Sequence, residues 1–243
     1  MLVDSPAAQR RRQEYARETR RPWPTLLFLG PLVVAHEWAR RVAGMGLPGY
    51  ELFSHNAIAG VLAWFGWSGA WVPPVVLVVV MLGWRQRAHD TWRVRTWIFA
   101  PLVAECLVLA IPMAVLGAFF VPSRFPDGSS LGARLAAAAG AGVYEELVFR
   151  FLLVTALAWI LGRWLRLWRP AALGLAVALA AVGFAACHFE PLGIDAFSWR
   201  SFGARSAAGA YLGTVFATRG LAVAGGCHAA YNVLGVLLRA VAR

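Results

Sequence analysis

With 243 residues, 60% hydrophobic and only 14% charged, the chain is too apolar for a soluble domain, which would be nearer half apolar and a quarter charged. The formal charge of +11 invites nucleic acid as a partner, but all 23 basic residues are arginine and most lie in short segments between apolar blocks, as membrane topology signals do. The composition excludes a nucleic-acid partner and points to an all-α polytopic transmembrane helix bundle of about seven crossings (range six to eight), counted at roughly 20 residues per crossing.

The chain divides into a basic cytoplasmic tail over 1–22, a set of N-terminal transmembrane helices over 23–121, and a core over 131–239. The tail carries Arg10, Arg11, Arg12, Arg17, Arg20 and Arg21 and suits anionic lipid. The apolar run 25–35 has the length of a signal-peptide core, but no small-x-small cleavage site follows, so it reads as an uncleaved first crossing. His36 and Glu37, near its end, are expected at the membrane interface. The stretch 52–69 is aromatic and glycine-rich. A second crossing is clearest over 71–84, where Pro73 and Pro74 start or break a helix. A third, over 97–121, holds the lone acid Glu105, which either lines the same cavity as Glu145 and Glu146 or answers Arg150. Twelve tryptophans, including Trp23, Trp84, Trp97 and Trp168 at block ends, fit interfacial belts.

The run 131–162 lacks proline and is rich in alanine and leucine, so one long helix is expected there. Inside it lie Glu145, Glu146 and Arg150. Ionisable groups at membrane depth cost free energy and mark a functional site by default. Glu146 and Arg150 are four apart with the acid first, the favourable order for a helical ion pair. Glu145 is turned about 100° away and is left for another task. A purely structural ion pair would need one acid, not two.

Two further segments carry chemistry. A fifth crossing over 171–189 ends in Phe184-Ala-Ala-Cys-His188, and a seventh over 221–238 holds His228-Ala-Ala-Tyr-Asn232; a sixth lies between them over 205–218. Spacing of four puts Phe184 with His188, and His228 with Asn232, on single helical faces. Cys187 and Cys227 precede the histidines, but helix neighbours diverge by about 100°, so these and Cys106 read as packing cysteines rather than metal ligands or a disulfide set. These boundaries leave His188 near one membrane face and His228 nearer the other, a depth difference of about 15 Å at 1.5 Å per residue. Glu145, His188 and His228 are nevertheless expected to converge within about 5–6 Å, one water's bridging reach; the rival partner for His188 is Glu190.

Glu-Glu-x-x-x-Arg, Phe-x-x-x-His and His-x-x-x-Asn, in this order on successive helices, resemble the CAAX protease and bacteriocin-processing (CPBP) family, which includes type II CAAX prenyl endopeptidases. The resemblance covers 131–238 and implies an intramembrane endopeptidase acting on a membrane-associated or lipidated peptide or protein. It implies that Glu145 and His188 activate water, that His228 and Asn232 stabilise the oxyanion, and that Glu146 and Arg150 hold the geometry. Glu145, His188 and His228 also make a legitimate zinc ligand set, but the metal-free glutamate mechanism is the preferred expectation and no cofactor is required in it. The resemblance further implies the cytoplasmic membrane of a bacterium, and the arginine distribution an N-terminus inside: 14 fall on the inner side and eight on the outer, with Arg150 within. Two rivals use the same Glu, His and Asn groups, a transporter or proton relay and a catalytically silent scaffold. The paired broken helices or inverted repeats of a transporter are not evident.

Overall fold

A computed structural model describes residues 5–42, 53–67, 71–118, 130–193 and 195–241. The chain is all helical apart from a single bridge between Phe189 and Asp195 among the described residues. In order the helices are α1 Pro6–Glu18, α2 Pro22–Val42, α3 Phe53–Ala63, α4 Val72–Arg87, α5 Phe99–Ala118, α6 Leu131–Glu145, α7 Thr155–Arg163, α8 Arg169–Ala186, α9 Trp199–Arg219 and α10 Leu221–Val241. The proline pair opens α4, where the missing N–H groups cost nothing. A π segment, Glu146–Val154, joins α6 to α7, so residues 131–163 form the one uninterrupted helical run that their composition predicts. Among the described residues three helical stretches are long and apolar enough to cross a bilayer: Thr96–Gly117, Arg169–Ala186 and Leu221–Val241.

α10 is the central helix. It touches α2, α5, α6, α9 and the π segment, and its residues from Leu221 to Ala229 are all buried. α6 lies against α2 on one side and α10 on the other, and α8 pairs with α9. Small residues permit these approaches: Ala137, Ala138, Ala139, Gly140, Ala141 and Gly142 of α6 are buried, and without bulky side chains two helix backbones can come close.

Gly140 is the tightest of these contacts. A methyl group there would lie 2.1 Å from the His36 Cβ of α2. His36 and Glu37, expected at the membrane interface, are buried against protein, because α2 extends beyond the run 25–35 and carries both side chains into the α2/α6 contact. The His36 Nδ1–H donates to the Ala137 carbonyl at 2.8 Å, and the Tyr144 hydroxyl donates to Glu37 Oε1 at 2.7 Å.

The basic N-terminal segment forms a helix, α1, docked on the bundle. Ser5 caps it. The Tyr15 hydroxyl donates to Glu105 Oε2 at 2.6 Å, and Arg219 Nε and Nη2 donate to the same carboxylate at 2.6 and 2.9 Å. Burial, and the Glu105 carboxylate beside it, push the Tyr15 phenol above its ordinary range, so it stays a donor. Glu14 pairs with Arg95, and Arg21 donates to Asp90 Oδ1 and Glu18 Oε2, each at 2.6 Å. Glu105 thus answers Arg219 and Tyr15, neither the Glu145–Glu146 doublet nor Arg150.

The α2/α6 contact makes a direct prediction. Gly140→Ala should lower the melting temperature of the detergent-solubilised protein, at a cost of about 1–3 kcal/mol for the overpacked contact. Gly132→Ala, where nothing lies within 4 Å of the added methyl, should not. Equal melting temperatures would contradict this packing.

Candidate active site

The site is assembled where the long helical run changes pitch. Ser130 starts α6 by accepting the Ala133 N–H at 3.2 Å, and the α-helical pattern continues to Glu145. From Glu146 the backbone widens to a π-helix, a form uncommon in helices and concentrated at functional sites. The doublet straddles this junction. Gly142, one turn earlier, lets α10 approach: a methyl there would lie 3.0 Å from the Ala229 nitrogen and 3.1 Å from the His228 ring.

Glu146 and Arg150 are 0% and 1% exposed at their side chains and form the expected ion pair, Arg150 Nη1 lying 2.9 Å from Glu146 Oε1. The same oxygen accepts the Nδ1–H of His228 at 2.9 Å. Arg150 Nη2 donates to the Gly209 carbonyl of α9 at 3.2 Å, and its guanidinium carbon stands 4.5 Å from the centre of the Phe184 ring on α8. One buried carboxylate and one guanidinium therefore tie the π segment to α8, α9 and α10.

Glu145 points elsewhere. Its side chain is 12% exposed, with Oε2 at 3.4 Å from His228 Nε2 and Oε1 at 4.0 Å from His188 Nε2. His188, 28% exposed at its side chain, donates Nδ1–H to the Phe184 carbonyl at 2.7 Å. A carbonyl only accepts, so this bond places the proton on Nδ1 and leaves Nε2 facing Glu145. Phe184 packs edge-on to His188 at 4.7 Å and to His228 at 6.2 Å, and against Phe149 at 5.3 Å. It is the apolar hub of the site.

The boundary expected for the fifth crossing needs correction. α8 stops at Ala186, and His188 follows the helix in a turn capped at Cys187. Its ring folds back by one turn onto the Phe184 carbonyl, and this brings Nε2 inward to Glu145 across the apparent difference in depth. The two ring nitrogens thus face Phe184 and Glu145 rather than the rival partner Glu190.

Asn232 is held by the α6 backbone. Its Nδ2 donates to the Ala138 carbonyl at 3.1 Å and fastens α10 to α6 one turn beyond His228. Cys106 and Cys227 are buried among apolar neighbours, and all three cysteines are free. Among the described residues no three His, Cys, Asp or Glu side chains are grouped to hold a metal ion. Gly209, whose backbone carbonyl holds Arg150, carries no sequence signal. The Glu37–Tyr144 pair next to the doublet was visible in sequence only as a tyrosine and an acid in apolar runs.

A partly exposed carboxylate facing one imidazole from α10 and another from the turn after α8, in a chain with three membrane-length apolar helices among the described residues, fits an integral membrane hydrolase. Residues 127–234, which hold every member of this constellation, match the model of the family described as type II CAAX prenyl endopeptidase Rce1-like. No curated protein and no solved structure matches the chain.

The buried ion pair makes the next prediction. Arg150→Ala should destabilise the folded protein by about 3–5 kcal/mol, because Glu146 is left buried and uncompensated. Arg150→Met combined with Glu146→Gln should cost less than Arg150→Ala alone. Detergent-resistance and thermal-melting curves check both; an unchanged curve for Arg150→Ala would contradict the pairing.

Proposed function

We propose that the protein is an intramembrane endopeptidase that hydrolyses a peptide bond of a membrane-associated or lipidated substrate with water activated by Glu145. The observation that carries this reading is the position of Glu145 between two imidazole Nε2 atoms, at 3.4 and 4.0 Å, beside a fully buried ion pair that engages Glu146 through Oε1. The 4.0 Å separation of Glu145 Oε1 and His188 Nε2 is too long for a direct hydrogen bond and suits a water donating to both, each contact near 2.8 Å. Glu145 takes a proton as that water attacks the peptide carbonyl, and His188 orients the oxygen lone pair. Collapse of the tetrahedral intermediate delivers that same proton, by way of His228 Nε2, to the leaving amine.

His228 has the second part. With Nδ1–H donated to Glu146, its Nε2 receives the proton from Glu145 Oε2 and, once protonated, becomes a donor to the oxyanion. Asn232 assists from the next turn, through the amide hydrogen not given to Ala138. The partial exposure of Glu145 and His188 supports access of water to both.

The reading takes seven crossings, by α2, α4, α5, the run 131–163, α8, α9 and α10, in the cytoplasmic membrane of a bacterium, with the N-terminus put inside by the arginine distribution. The reaction is taken as metal-free. Zinc chemistry would call on Glu145, His188 and His228 together, and chelation separates the two. A transporter would keep Glu145-dependent proton flux without cleavage, and a scaffold would have neither.

The test uses the purified protein with internally quenched peptides, with and without a C-terminal lipid. Wild type should cleave, and Glu145→Gln should lose about 10²–10⁴-fold of the rate while keeping its melting temperature. Near wild-type cleavage by that variant would overturn the base assignment. Cleavage should survive 1,10-phenanthroline; loss that zinc restores would overturn the metal-free mechanism.

A further inference from the structure

His188 is the one member of the constellation that lies outside a helix, so the hydrogen-bond ladder of α8 does not hold its backbone. The chain after it turns back on itself: the Asp195 N–H donates to the His188 carbonyl at 3.1 Å, the Glu190 N–H donates to the Asp195 carbonyl at 3.0 Å, and the Gly193 N–H donates to the Phe189 carbonyl at 2.8 Å. This small loop is pinned at one place. Arg205, in the second turn of α9, donates Nη2 to Asp195 Oδ2 at 2.5 Å, and its guanidinium carbon lies 5.0 Å from the centre of the Phe189 ring. Asp195 therefore holds the His188 carbonyl with its backbone and α9 with its side chain. The pin stands four residues before Gly209, whose carbonyl fixes Arg150. One helix, α9, thus anchors both the buried ion pair and the histidine loop.

We propose that Arg205 and Asp195 are positioning residues for His188: their ion pair clamps the 187–195 loop to α9 and so sets the distance from His188 Nε2 to Glu145. The inference rests on the hydrolytic reading above. Neither residue needs to touch substrate. A charge-assisted contact of this kind fixes a backbone more firmly than a neutral one, and a displacement near 1 Å at a reacting group costs on the order of 10²-fold in rate.

The test compares wild type with Asp195→Asn, Arg205→Met, Arg205→Lys and the Asp195→Asn/Arg205→Met double variant, with Glu145→Gln as the cleavage blank. Each neutralising variant should lower kcat at least tenfold while KM stays within twofold. Arg205→Lys should recover most of kcat. The double variant should be no worse than the poorer single one, since both remove the same pair. An unchanged kcat, multiplicative losses, or a raised KM at constant kcat would overturn the proposal; the last would assign the buried, unpaired Nη1 of Arg205 to substrate.

A readout independent of activity comes from diethylpyrocarbonate labelling mapped by mass spectrometry. His188 should be modified faster in Arg205→Met than in wild type. The exposed His89 should react equally in both, and the buried His36 should stay protected, which establishes that the variant is folded. Equal rates at His188 would overturn the clamp even if cleavage is never observed, whereas absence of Glu145-dependent cleavage in wild type overturns the hydrolytic reading alone.

Discussion

The site depends on one oxygen atom. Glu146 Oε1 meets Arg150 at 2.9 Å and His228 at 2.9 Å in a place closed to water. A carboxylate taken out of water without partners would be expelled or neutralised, and so would a lone guanidinium. Together, and with the Gly209 carbonyl and the Phe184 ring taking the rest of Arg150, they can remain buried. The pair alone is weak evidence for added stability. Its consequence is positional: it fixes the rotation of the π segment against α8, α9 and α10, and hence the direction in which the neighbouring Glu145 points.

Small residues make that arrangement sterically possible. The glycine and alanine surface of α6 lets α2 close in on one flank and α10 on the other, so that His228 can reach Glu146 and Asn232 can reach the Ala138 backbone. Polar groups recur on both sides of the apolar core. Glu37 and Tyr144 join α2 to α6 beside the doublet, while Glu105 gathers Tyr15 and Arg219 from α1 and α9. Glu37 and Glu105 are each hydrogen-bonded to a side chain from another helix, which offsets the cost of holding an acid among apolar helices. The helices are thereby fixed in register by specific contacts, where apolar packing in lipid alone is permissive.

Local signals were legible in the sequence, and contacts between distant segments were not. The Glu146–Arg150 pair follows from spacing of four on a helix, and the 131–163 run from its lack of proline. The Phe184–His188 contact survives although His188 has left the helix, because the spacing of four still brings its ring over the preceding turn. The partner of Glu105 lies 114 residues away, and no periodicity names it. The burial of His36 and Glu37 is decided by Gly140 on another helix. Asn232 spends a donor on a backbone carbonyl of α6, which a motif read along α10 alone does not contain. Arg205, at the start of the expected sixth crossing, and Asp195 belong to no motif, because their importance comes from a loop that folds back on His188.

The central claim is that this buried cluster exists to cut peptide bonds in the membrane. The most direct measurement is a comparison of the N-terminal peptides of membranes from cells producing wild type or Glu145→Gln at equal levels. The account predicts new N-termini, from bonds within or beside membrane segments of a small set of proteins, in the wild-type sample only. Identical N-terminal profiles at equal expression, together with Glu145-dependent proton flux in liposomes, would contradict it.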